Sequence, residues 1–193
     1  METIRIAALV GSLREESLTR EACRRTLEVA EGYSGVETDL IDLRNLDLPV
    51  YDNDLDEPGD VPELTRRVAA ADSLLLGTPN YHGSYAAPLK NALDYCGFDE
   101  FEHTTVGLLA VAGGSFSTGP LDHLRIVARA LNAWVLPHQV AVPNASSRFE
   151  DGELTDEAYA ERVDALGRRL VEYANIEPDP PTPESERNVG ADD

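Results

Sequence analysis

Three short stretches of this 193-residue chain hold the residue types that bind anions and polar rings: GSLREESLT (11–19), TPNYHGSY (78–85) and GGSFSTG (113–119). In the first, Ser12, Ser17 and Thr19 supply hydroxyl donors, and Arg14 supplies a cation able to fork onto phosphate oxygens. The stretch runs into a predicted helix, whose first N–H groups have no intrahelical acceptor and attract negative charge. A phosphate suits that set, and in a chain of net charge −20 an anion needs a local cation. A serine-rich turn that only caps the helix would use the same residues. Spacing alone leaves these two readings level. Neither GxGxxG nor GxxxxGK[ST] follows the first strand, which argues against a dinucleotide fold of the usual kind and a Walker loop.

The second stretch contributes His82, which titrates near neutrality and could pass a proton to a bound oxygen. A solvent-facing loop histidine without a role in turnover fits its position as well. Tyr81 is expected to shield one side of a bound ring while its loop aims backbone N–H groups at it. Tyr85 reads as packing. Behind this stretch comes Lys90, the only lysine among 16 basic residues. It is expected to pair with a carboxylate across a subunit contact or beneath the loop. His103, His123 and His138 show no metal spacing. Cys23 and Cys96 fall within predicted helices without any CxxC pattern, so both read as reduced packing residues.

The elements that must position these loops alternate along the chain. Runs at 4–10, 36–43, 73–77, 104–112 and 134–142 predict strands, the first of them apolar throughout and so expected to be buried on both faces. Stripes at helical spacing lie between and after them: Cys23, Leu27 and Ala30; Val61, Leu64, Val68 and Ala71; Leu89, Ala92, Leu93 and Cys96; Leu121, Leu124, Ala128 and Leu131; Tyr159, Val163, Leu166, Leu170 and Tyr173. Gly32 and Gly97 are placed to end the first and third helices, and Asp60 to cap the second. Five strands alternating with five helices give a parallel sheet with right-handed crossovers, a three-layer α/β/α sandwich. One domain is expected over 1–173, and the acidic, proline-rich tail 174–193 is expected to be disordered. In such a sheet the loops after strands one, three and four meet beyond the carboxyl ends of the strands.

Composition narrows the partners. With 36 acidic residues against 16 basic ones and a pI near 4.4, the surface repels nucleic acid and anionic membranes. Excess carboxylate, arginine almost to the exclusion of lysine, and small apolar side chains point to a protein adapted to concentrated salt. No apolar run approaches 18 residues and no leader pattern opens the chain, so a soluble cytoplasmic protein is expected.

SLREESLT after the first strand and GTPNYHGSYAAPLKNALDY after the third together resemble the NADPH-dependent FMN reductase family. Its usual patterns there are S-x-R-x-x-S-x-N, then P-E-Y-N-x-S with L-K-N-x-x-D behind it. The resemblance implies a flavodoxin-like fold with strand order 2-1-3-4-5, bound FMN, NADPH or NADH as donor, and a homodimer or homotetramer. It also implies a small-molecule acceptor such as a quinone, served by a two-step exchange at one flavin face. It assigns the FMN phosphate to Ser12, Arg14, Ser17 and Thr19, and places Leu18 among the cofactor-binding residues. Pro79, Asn80, Tyr81, His82 and Gly83 would border the isoalloxazine ring, and Gly113, Gly114 and Ser115 would approach it from the other loop. The departures are Thr19 for Asn, Asn80 for Glu, His82 for Asn, and GGSFSTG for GGxxGG. They bear on substrate choice and local proton chemistry. A flavodoxin-type electron carrier is the alternative, and a flavin-free regulatory or scaffold protein a third reading. The Arg-bearing first loop argues against the carrier.

Overall fold

The computed structural model describes residues 3–174 and 176. In chain order these form β1 (Ile4–Val10), α1 (Leu18–Glu31), β2 (Val36–Asp42), a 3-10 turn (Leu43–Asn45) and α2 (Val61–Ala69). Then come β3 (Ser73–Pro79), α3 (Ala87–Asp94), α4 (Phe98–Phe101), β4 (Thr105–Val111), α5 (Gly119–Ala130) and β5 (Trp134–Val142). A small hairpin of β6 (Phe149–Glu150) and β7 (Glu153–Leu154) precedes α6 (Glu157–Glu172). Five strands form one parallel sheet in the order β2-β1-β3-β4-β5.

The two faces of the sheet divide the core by the strand period of two. Ile6, Ala8 and Val10 point toward α1 and α6, where they pack with Cys23, Leu27, Val163, Leu166 and Leu170. Ala7 and Leu9 point the other way, into a layer built from α2, α3, α4 and α5 with Leu64, Leu89, Phe101 and Leu124. β3 and β4 are buried along their whole length, as central strands covered on both faces must be.

β5 is an edge strand, and its exposed carbonyls are covered by guanidinium groups. Arg125 Nη2 donates to the Leu136 carbonyl at 2.8 Å, and Arg162 Nη2 donates to that of Gln139 at 3.1 Å. The register to β4 shifts between Val106 and Leu108, so β5 bulges around Pro137, a residue tolerated in a sheet only at an edge or bulge. Together these features keep the edge from templating another strand.

Several local expectations change. Asp60 stands before α2, but its carboxylate accepts from the Asp47 N–H at 2.7 Å and caps nothing in the helix. Gly97 does not end α3, which stops at Tyr95; it begins the short α4, where Glu100 accepts from its N–H at 2.6 Å. Gly32 ends α1 with ordinary right-handed geometry, and Gly35 (φ +82°) makes the left-handed turn into β2. The β6–β7 hairpin carries too few residues for a periodic signal. The expected tail lies almost wholly outside the described residues. Among the described residues, no helix is long and apolar enough to cross a membrane.

Candidate functional site

Strand order reverses between β1 and β3, and the three candidate loops converge there, beyond the carboxyl ends of the strands. Close backbone approach holds them together. The Gly11 N–H donates to the Gly77 carbonyl at 2.8 Å, and a side chain at Gly11 would meet Leu89 of α3 at 2.7 Å. A side chain at Gly119 would lie 2.4 Å from the Gly83 carbonyl oxygen, so the second loop rests directly on the start of α5.

The first loop leads into α1 with Ser17 at the N-cap, accepting from the Arg20 N–H at 3.1 Å. Ser12, Ser17 and Thr19 are all buried, Leu18 is half-buried and Arg14 is exposed. Among the described residues, the backbone N–H groups of Ser12 through Ser17 donate to no protein acceptor. Six consecutive N–H groups without a protein acceptor thus precede a 14-residue helix, a pattern suited to an anion. The Ser17 hydroxyl accepts at the cap and still has its hydrogen to donate. Thr19 lies where its methyl group would touch a Cβ at Gly77, and it keeps a hydroxyl in place of the family's usual asparagine.

The second loop makes a tight turn. Tyr81 and Ser84 exchange both backbone hydrogen bonds, at 3.0 and 3.1 Å, around His82 (φ +53°) and Gly83 (φ +84°). Two left-handed central residues define a type I′ turn. This changes one expectation: the Tyr81 N–H is committed to Ser84, and the Gly83 N–H to the Asn80 side-chain oxygen at 3.0 Å. Of these three, only His82 keeps its N–H without a protein acceptor among the described residues. The Tyr81 ring is half exposed, and Pro79 is buried at the end of β3. Asn80 ties loops together, since its Nδ2 donates to the Phe116 carbonyl.

In the third loop Gly113, Gly114 and Ser115 are exposed, and a Cβ at either glycine would meet nothing within 4 Å. No protein neighbour therefore demands glycine there. The open space leaves the backbone there accessible to close approach.

Several contributors carried no sequence signal that was read. His123 Nδ1 on α5 lies 2.9 Å from Ser84 Oγ, with its ring edge-on to Tyr85 at 6.2 Å. The buried Thr78 Oγ1 accepts from the Ala86 N–H at 2.9 Å and closes the second loop. Phe116 is 87% exposed beside the glycines. Arg20 grips the first loop from behind. A cation in the first turn of a helix opposes the helix dipole, and that anomaly was the available clue.

Within the chain, Lys90 does not pair beneath the second loop; its Nζ pairs with Asp94 one turn along α3. Beside it, Leu13, Leu46, Leu48, Val50, Ala87 and Pro88 line an apolar groove of about 480 Å³ that opens next to the anion loop. Burial pushes the Cys23 and Cys96 thiols up to about 12, with nearby Asp42 and Glu21 adding to the effect at Cys23 and Glu100 at Cys96. Both thiols are unsuited to redox or nucleophilic work.

An open parallel sheet of this order, with its loops gathered at the switch point, defines a flavodoxin-like α/β protein. The chain belongs to the NADPH-dependent FMN reductase family, whose sequence model matches residues 4–147. It is 34% identical over 183 residues to an FMN-dependent NADPH-azoreductase of Staphylococcus aureus, covering 88% of this chain and 95% of that protein. Among solved structures it is similar to the apo form of the NADH:FMN oxidoreductase EMOB, with TM-score 0.77 and 22% identity over 91% of this chain and 92% of that one. It is also similar to FerB, an NAD(P)H:acceptor oxidoreductase of Paracoccus denitrificans, with TM-score 0.75 and 25% identity over 89% and 97% of the two chains.

Proposed function

We propose that this protein is an FMN-dependent NAD(P)H oxidoreductase that delivers electrons to a quinone-like or azo acceptor by a ping-pong scheme. The observation that carries the reading is the run of six unpaired N–H donors from Ser12 to Ser17, set beside two glycines with open space in front of them. A phosphate fits the first feature and a planar ring the second. FMN presents both.

In this reading Ser12, Arg14, Ser17, Leu18 and Thr19 hold the phosphate end. Arg14 is exposed and, among the described residues, free of any ion pair, so its guanidinium is available for the anion. Pro79, Asn80, Tyr81, His82 and Gly83 border one side of the ring, with the His82 N–H as the free backbone donor. Gly113, Gly114 and Ser115 border the other side. When bound, the flavin supplies the chemistry, accepting hydride from NAD(P)H and passing electrons onward. The side chains bind and orient, and none is required as a nucleophile. His82, exposed at the tip of its turn, stands as the proton donor to the reduced acceptor. The apolar groove at Leu13, Val50 and Pro88 supports a homodimer or homotetramer. A cytoplasmic location and adaptation to high salt complete the proposal.

The test is anaerobic mixing of NADPH or NADH with the reconstituted yellow protein, followed by steady-state rates at several fixed quinone concentrations. Rapid bleaching of the flavin band and parallel double-reciprocal lines are expected. A flavin that stays oxidised would favour an electron carrier, and intersecting lines would remove the shared-face scheme.

A further inference from the structure

We infer that Arg20 is a positioning residue that shapes the anion loop from behind and does not itself touch the anion, with Asp42 as the carboxylate that aims it. The inference rests on the FMN reading above.

The geometry begins with the guanidinium. Arg20 Nη1 lies 3.4 Å from the Arg14 carbonyl oxygen and 3.1 Å from Asp42 Oδ2, and Nη2 donates to the Glu15 carbonyl. Asp42 ends β2, and its other oxygen accepts from the Arg44 N–H at 3.1 Å. The Arg20 and Asp42 side chains are 14% and 11% exposed, so the pair is largely withdrawn from solvent and fixed on both sides.

A trans peptide unit is planar, with its N–H directed opposite to its C=O. When the carbonyls of Arg14 and Glu15 turn toward Arg20, the N–H groups of the same peptide units, those of Glu15 and Glu16, turn away from it. These are two of the six donors that have no protein acceptor among the described residues. Arg20 thus converts a loop of indifferent orientation into a concavity of N–H groups. Its own charge stands in the first turn of α1, where the helix dipole disfavours a cation. Asp42 at 3.1 Å and Glu21, whose Oε1 lies 3.7 Å from Arg20 Nε, offset that charge and leave Arg14 in the loop as the cation facing outward. Two arginines six residues apart therefore divide the work, one reading the ligand and the other holding the reader.

The two roles predict opposite signs for one substitution. If Arg20 were itself a phosphate ligand, removing Asp42 would free its charge and tighten FMN. If Arg20 is a brace aimed by Asp42, the same change loosens the loop and weakens FMN. The experiment titrates the full chain, wild type and the variants Asp42→Asn, Arg20→Gln and Arg20→Lys, with FMN and with riboflavin, following fluorescence quenching. We expect Arg20→Gln to weaken FMN by about ten- to thirtyfold, the weight of one or two hydrogen bonds to a charged group. Asp42→Asn should weaken it severalfold, Arg20→Lys should fall between wild type and Gln, and riboflavin should change less than about twofold in all three. Limited trypsinolysis of the flavin-free chain gives a second readout: cleavage after Arg14 should accelerate in Arg20→Gln as the loop loosens. Tighter FMN in Asp42→Asn, or equal losses for FMN and riboflavin, would overturn the brace. Wild-type protein that binds neither flavin would instead defeat the FMN reading, and the Arg14 cleavage rate would still decide whether Arg20 holds the loop.

Discussion

His82 shows how one residue can answer to two requirements. It occupies a left-handed backbone position, φ +53°, at the centre of the Tyr81–Ser84 turn. Among residues with a side chain, Asn, Asp and His visit that region most readily, because a short polar group can bond locally there. The asparagine usual at this place in the family meets the same backbone demand. His82→Asn therefore removes the imidazole and keeps the turn, which an alanine would strain by about 1 kcal/mol. We expect His82→Asn to keep wild-type thermal stability and the rate of flavin reduction by NAD(P)H, and to slow only the acceptor half-reaction. Unchanged rates in both half-reactions, followed by stopped flow, would assign the residue to the turn alone.

Between elements, the decisive contacts are those of glycine with its neighbours. Gly77 near the end of β3 faces α1, and a Cβ there would lie 2.2 Å from Cys23 Sγ but at ordinary distance from Leu9 O (3.5 Å) and Thr19 Cγ2 (3.6 Å). At this point of the α1–sheet interface the Cys23 sulfur takes the space that a side chain at Gly77 would need. Overpacking of this kind costs about 1–3 kcal/mol. Gly77→Ala should destabilise the fold by that amount in urea unfolding, and Cys23→Ala in the same chain should recover most of the loss. Additive losses in the double variant would show that β3 and α1 do not meet where Gly77 and Cys23 place them.

For the whole molecule the governing quantity is net charge. At −20, self-repulsion opposes the compact state in dilute buffer, and at about 1 M salt the screening length contracts to roughly 3 Å. Several arginine–carboxylate pairs already offset part of that repulsion, among them Arg25 with Asp164 and Arg67 with Asp39, whose guanidinium groups are raised further above their ordinary value chiefly by those hydrogen bonds. Screening the remaining charge should raise the melting temperature steadily from dilute buffer to molar KCl. A flat or falling curve in calorimetry would remove the high-salt reading.

The sequence by itself determined the order of strands and helices, because burial on both faces leaves continuous apolar runs such as LLLG at 74–77, and helices leave stripes at 3.6-residue spacing. It also determined where ligand chemistry would gather, since Gly, Ser, Thr and Arg concentrate in loops that a parallel sheet must bring to one edge. What it left open were choices made by partners distant in the chain. Asp60 and Gly97 each had a plausible local role, and each was taken instead by a backbone or side chain that only the fold brings near. Within the chain, Lys90 finds its carboxylate four residues away on its own helix. The division between Arg14 and Arg20 is decided the same way: both are arginines in one loop-and-helix segment, and the approach of Asp42 from β2 helps turn one inward as a brace while the other faces out. Periodicity is a local property of the chain and can be read along it. Hydrogen-bond partnership at a site depends on which groups meet in space, and that was settled only when the sheet closed around them.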